Sequence, residues 1–185
     1  MSSNKDRLEI ALYARGGAQK KPGGGDRYHW ALIVAPKREH QGSRGIRFHE
    51  TEKLQSDNSL KFVYDERDID VFYSTNMLLG PIIVAKVEKI DRVCQILRAV
   101  PVRQRKNAGW NCIAWVKEAL EMLDADEGAL GTRMLEWNKI WDTAMTYCGG
   151  KISSHRFDGK VERVGIGDSR RPPTFDLLEN EEVVP

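Results

Sequence analysis

Hydrophobic and polar positions divide the chain into two halves of different period. From the N-terminus to about residue 87 the apolar residues come in short runs or pairs, the pattern of strands. Leu8 to Ala14 reads as one strand, and Tyr28-His29-Trp30-Ala31-Leu32-Ile33-Val34 as the clearest. The second run is almost continuously apolar or aromatic, which predicts a strand covered on both faces. Pairwise alternation places His29, Ala31 and Ile33 on one side and Tyr28, Trp30, Leu32 and Val34 on the other. Ile46 to Thr51 follows as a strand with His49 near its end, then Leu60 to Tyr64, then Ile82 to Val87 behind Pro81. Asp65 to Asp70 reads as a charged turn.

Beyond Asp91 the period lengthens to that of helices. Val93, Ile96, Leu97 and Val100 make a short amphipathic helix that ends before Pro101. Ile113, Val116, Ala119, Leu120 and Leu123 form the stripe of a second. Thr132 to Tyr147 reads as a third, stopped by Gly149-Gly150. From about Lys151 the chain is polar and turn-rich, and Thr174 to Leu178 and Val183-Val184 could lie in a groove as an extended tail. The expected architecture is a single α+β domain over 1–185, an antiparallel sheet packed against a helix.

Composition narrows the function classes. The 185 residues suffice for one core, and a formal net charge of +2 gives no strong field for nucleic acid. Three cysteines without a Cys-x-x-Cys pair argue against a disulfide scaffold or a structural zinc. No cofactor or metal is implied. No apolar run approaches the ~20 residues of a transmembrane segment, and the N-terminus has no secretory pattern, so a cytoplasmic setting is expected. Two loops stand out. One is glycine-rich, Gly16-Gly17 to Gly25, with Arg15, Lys20 and Lys21; the other is basic, with Arg103, Arg105 and Lys106.

The candidate chemistry centres on Asn111-Cys112. Asn111 is a favoured N-cap, which places Cys112 in the first turn of the second helix. There the helix dipole and free amides lower a thiol's pKa and can hold a developing oxyanion. A thiol so placed is either a nucleophile or a buried cysteine, and a histidine brought to it makes the difference. Of the four histidines, His29 and His49 lie in strands that could aim them rigidly. His29 is the candidate base, because imidazole titrates near working pH, and a His–Cys pair is expected to exist as an ion pair. His49 is the candidate orienting group. Glu50 ranks behind it, on the opposite side of a regular strand. His155 is either an anchor for the tail or a rival base. Tyr28, Trp30 and Trp110 are candidate pocket lining, or else core.

Tyr28-His29-Trp30-Ala31-Leu32-Ile33-Val34, then Phe48-His49, then Asn111-Cys112 together resemble the lecithin:retinol acyltransferase-like family. Its members are circularly permuted, NlpC-type relatives of papain in which the histidine strands precede the cysteine. A permuted isopeptidase branch, the PPPDE type, has the same order. The resemblance implies a permuted papain-like fold, with Cys112 as nucleophile, His29 as base and His49 as third polar member, acting through a thioester. Ile113-Ala114-Trp115 follows Cys112 where the acyltransferases carry Glu-His-Phe. Through Ala11 to Gly17 and His155 to Gly159 the whole chain resembles a family of small fungal proteins of unknown function. Two functions follow as expectations. One is a cysteine-dependent hydrolase or acyltransferase acting on an amide, isopeptide, ester or thioester carbonyl of a small-molecule, peptide or acyl substrate. The other is an inactive binding module on the same fold.

Overall fold

The computed structural model describes residues 4–15, 27–73, 77–104, 109–157 and 171–185. Eight strands form one sheet: β1 (Arg7–Ala14), β2 (Tyr28–Ala35), β3 (Arg44–Leu54), β4 (Leu60–Asp70), β5 (Leu78–Val87), β6 (Leu130–Arg133), β7 (Thr174–Asp176) and β8 (Glu181–Val184). Three helices accompany them: α1 (Ile90–Ala99), α2 (Cys112–Ala125) and α3 (Trp137–Ser153). The sheet order is β4-β3-β2-β1-β5-β7-β8, with β6 also on β5, and every pairing is antiparallel except β5 with β7. The chain is therefore α+β, with a mostly antiparallel sheet.

Strand alternation gives the sheet two different faces. Leu8, Ile10 and Leu12 of β1, Trp30, Leu32 and Val34 of β2, Phe48 of β3 and Ile82 and Val84 of β5 share one core with Trp115, Val116, Ala119, Leu120 and Leu123 of α2. Ile140, Ala144 and Cys148 of α3 join that core. Trp30 stacks on Trp141 with centroids 5.4 Å apart and planes 12° from parallel, so Trp30 and Tyr28 are core residues. The other face carries a smaller cluster of Ala11, Tyr13, Ala31, Ile33 and Ala35, covered by Val71 and Leu78. Gly45 belongs to this tight seam: a Cβ there would meet the Val34 carbonyl at 2.6 Å.

Three elements differ from the sequence pattern. Asp65 to Asp70 is not a turn but the second half of β4, paired along its whole length with β3 from Leu54↔Leu60 to Arg44↔Asp70. Charges along and across the pair stabilise it, with Asp65 reached by Arg67 of its own strand at 2.9 Å, by Lys53 of β3 at 3.5 Å and by the diagonal Arg47 at 3.9 Å. The third helix starts at Trp137, because Leu130 to Arg133 pairs with β5 instead and Glu136 caps the amides of Asn138 and Lys139. It also runs through Gly149-Gly150 to Ser153. The expected tail is sheet: β7 lies parallel to β5 and β8 folds back on it. Residues 16–26, with the glycine-rich loop, and Arg105 and Lys106 lie outside the described residues.

Candidate active site

β2 and β3 are paired only from Leu32↔Phe48 to Val34↔Ile46. Towards Tyr28 the β3 side of β2 is free of ladder bonds, and the mouth of α2 enters this gap. Gly109 turns the chain into it at φ +85, a region that suits glycine. Asn111 then caps the helix: its side-chain oxygen accepts from the amides of Ile113 at 3.0 Å and Ala114 at 3.2 Å. The cap fixes Cys112 in the first turn, 2% exposed.

Two donors hold the Cys112 sulfur. Arg15 Nη2 lies 3.2 Å from it, while Arg15 Nε donates to the Tyr28 carbonyl at 3.1 Å. The Trp30 amide, freed by the missing ladder, is the other. The sulfur therefore sits beside the His29–Trp30 peptide. Burial pushes the thiol pKa up; the Trp30 amide and Arg15 pull it back in part, and the Glu50 carboxyl pushes it up again.

His29 projects from the opposite face of β2, the side of Tyr13 and Ile33. Its Nε2 is 2.7 Å from His49 Nδ1, and His49 Nε2 is 3.1 Å from Asp65 Oδ2. Asp65 fixes the protons along this row. Burial works against its charge, but the bonds from His49 and Arg67 outweigh it and hold its pKa below the usual carboxylate range. A carboxylate only accepts, so His49 donates from Nε2 and its Nδ1 is bare. His29 in turn donates from Nε2, which leaves its Nδ1 lone pair as the basic atom. Burial, with the nearby His49, Arg15 and Arg47, lowers the His29 pKa to about 3. His49 is lowered too, by burial and Arg47 against the pull of Asp65.

The resting site works against the expected ion pair. Both Cys112 and His29 are pushed towards their neutral forms, because desolvation disfavours either charge. Among the described residues no hydrogen bond joins Cys112 to His29. The structure brings His29 and His49 into direct contact and places Cys112 behind the same stretch of β2, held by Arg15.

Two participants are not candidates on the sequence pattern, and a third, Glu50, ranks behind His49 there. Asp65 was hidden in what reads as a turn, and Arg15 in a loop. Glu50 lies on the Cys112 side of β3, 2% exposed, with Oε1 lacking any hydrogen bond. Burial and the neighbouring Glu52, offset by Arg15, raise its pKa to about 7. Trp110 is half-buried, donating to Glu118 at 3.3 Å and packed edge-on to Phe62. His155 is exposed just past α3 with φ +58. Among the described residues no group of three or more His, Cys, Asp or Glu side chains is arranged to hold a metal ion, and no helix is long and apolar enough to cross a membrane.

A family model matches residues 5–184, nearly the whole chain including the gap and both histidine strands. The chain belongs to the DUF6914 family, a family of unknown function. No curated protein and no solved structure matches it. The order of histidine strand, second histidine and capped cysteine thus lies within one family unit.

Proposed function

We propose that this protein is a cysteine-dependent hydrolase or acyltransferase with a permuted papain-like arrangement, and that Cys112 is its nucleophile. The observation that carries the reading is the sulfur itself. It lies in the first turn of a capped helix, bonded by a guanidinium and a strand amide, and beside the peptide that bears a histidine with an oriented, bare ring nitrogen. These are the parts that acyl transfer needs: a thiol, a base, a group that orients the base, and donors for an oxyanion.

In this reading the substrate carbonyl enters the gap between β2 and β3. Sγ bonds to the carbonyl carbon as the thiol proton passes to His29 Nδ1. The carbonyl oxygen takes the negative charge, next to Arg15 Nη2 and the backbone amide of Cys112. The C–N or C–O bond then breaks, and the leaving group takes the proton from His29. Water, or an acceptor nucleophile, next attacks the thioester by the same route and frees the thiol. A neutral thiol and neutral imidazole suit this sequence, because charge develops only when substrate is present. Substrate also has to bring His29 Nδ1 and Sγ within hydrogen-bond reach, as catalytic pairs that are loose in the free enzyme often tighten on binding.

A second reading has its own observation: a sulfur 2% exposed, without a bond to His29, also fits a binding module that no longer turns over. Acylation separates the two. Exposed to p-nitrophenyl acetate, the wild type is expected to release a burst of nitrophenolate equal to the protein concentration and to gain one acetyl group on Cys112. Cys112→Ser removes the burst, and His29→Gln slows it at least a hundredfold. Acetylation spread over Cys94, Cys148 and lysines, at rates unaffected by His29→Gln, contradicts the catalytic reading.

A further inference from the structure

The outer sheet face carries a second, unrelated concavity. Along β1, Glu9 is four residues from Tyr13, the neighbour of His29, so about 13 Å separates the two places. A cavity of about 280 Å³ opens at the Glu9 end, lined among others by Arg7, Glu9, Arg38, Glu39, Arg171 and Thr174. That is far above the ~10–15 Å³ a single water requires.

Its polar groups are unevenly satisfied. Glu9 is only 4% exposed, flanked by Ile33 and Ile83 in the neighbouring strands, and makes no hydrogen bond among the described residues. Arg171 is locked in place. It donates to Glu39 at 3.2 Å, lies 4.8 Å over the Phe72 ring, and its carbonyl accepts from Arg156 at 3.1 Å. Yet its buried Nε has no partner. Arg38 stands exposed at the opening, with no hydrogen bond or ion pair among the described residues. The site thus offers a fixed carboxyl that lacks a donor and, at its opening, the Arg38 guanidinium, which lacks an acceptor among the described residues. Buried polar groups are normally paired, and a preorganised pair of opposite needs is satisfied most cheaply by one molecule carrying both complements.

We infer that this cavity binds a small zwitterion of the amino-acid class, its ammonium on Glu9 and its carboxylate on the guanidinium groups of Arg38 and Arg171. A lone anion would leave Glu9 unpaired, and a lone cation would leave Arg38 without an acceptor. The charges around Glu9 add a signature. Burial and the carboxyls of Glu39 and Asp176, against Arg7, push the Glu9 pKa well above the usual carboxylate range. An arriving ammonium favours the carboxylate, so binding releases a proton. The inference does not depend on the chemistry of Cys112.

The test is calorimetric titration of the full chain with a panel of free amino acids, with acetate and methylammonium as single-charge probes. At least one amino acid is expected to bind, at least tenfold tighter than either probe. Its apparent heat should differ between two buffers of different ionisation enthalpy, in the sense of proton release. Glu9→Gln, an isostere that removes a buried acid and keeps the fold, weakens that amino acid tenfold or more and abolishes the buffer dependence. Arg38→Gln, at an exposed position, weakens it without changing the melting temperature. Absence of binding by every amino acid at 10 mM overturns the inference. Acetate or methylammonium binding as tightly as the amino acid also overturns it, as does an undiminished affinity in Glu9→Gln.

Discussion

Replacing Glu50 by glutamine should make the protein more stable at alkaline pH and leave it unchanged in acid. Glu50 is buried beside Cys112 with an unsatisfied oxygen, and its folded pKa is about 7 against an ordinary 4.5. The folded state therefore holds this proton more tightly than the unfolded chain. The stability linked to it is complete below pH 4.5 and is lost as pH rises towards 7. At about 1.36 kcal/mol per pKa unit, the loss approaches 3 kcal/mol by pH 8. Glutamine fills the same space without a proton to lose. Urea unfolding followed by tryptophan fluorescence at pH 4, 6 and 8 measures the gap between the variant and the wild type. That gap should widen by about 3 kcal/mol from pH 4 to pH 8, or about 6–12 °C in melting temperature for a chain of this size. Parallel profiles for the two proteins would show that Glu50 is solvated and that the electrostatic picture of the Cys112 side is wrong.

Other outcomes follow from the same geometry. His29 has the opposite sign: its folded pKa of about 3 lies below the ordinary 6.5, so its stabilising effect is lost as pH falls. Between pH 7.5 and 5 the wild type should lose about 2 kcal/mol through this residue, and His29→Gln should flatten that part of the curve. Asp65→Asn removes the negative charge and one of the two acceptor oxygens that His49 and Arg67 use; chemical unfolding should report a loss of about 1–3 kcal/mol, and the acetylation burst should slow. Arg15→Gln removes a cation from the sulfur, so the midpoint of Cys112 alkylation against pH should move upwards. Asn111→Ala leaves two helix amides unpaired and should cost about 1 kcal/mol.

The strands and helices that bury one clear stripe were legible in the sequence. β2 announces itself by its apolar run, and α2 by its cap and stripe, because local propensity and burial agree there. The failures came where long-range pairing overrode local character. Asp65 to Asp70 has the composition of a turn, yet β3 supplies an eleven-residue partner and cross-strand charges. Leu130 to Arg133 and Thr174 to Asp176 are too short to signal a strand, and only the edge of β5 away from β1 makes them one. Of the candidate site, the structure shows the expected contact of His29 with His49 but, among the described residues, no hydrogen bond from His29 to Cys112. Residue type and order pointed to Cys112, His29 and His49. The state of charge did not follow, because desolvation is set by what folds over each group. Nor did Arg15, which reaches the sulfur across 97 positions of sequence.

The most direct test is the rate of iodoacetamide alkylation at each cysteine as a function of pH, resolved by peptide mass. Cys94 and Cys148 are buried without a cation bonded to sulfur, and burial pushes the Cys148 thiol up to about 12. Cys112 should react first, at least tenfold faster than either at pH 8, and Arg15→Gln should slow only Cys112. Equal slow labelling of all three cysteines, or a Cys112 rate indifferent to Arg15, would contradict the reading of Cys112 as an activated thiol.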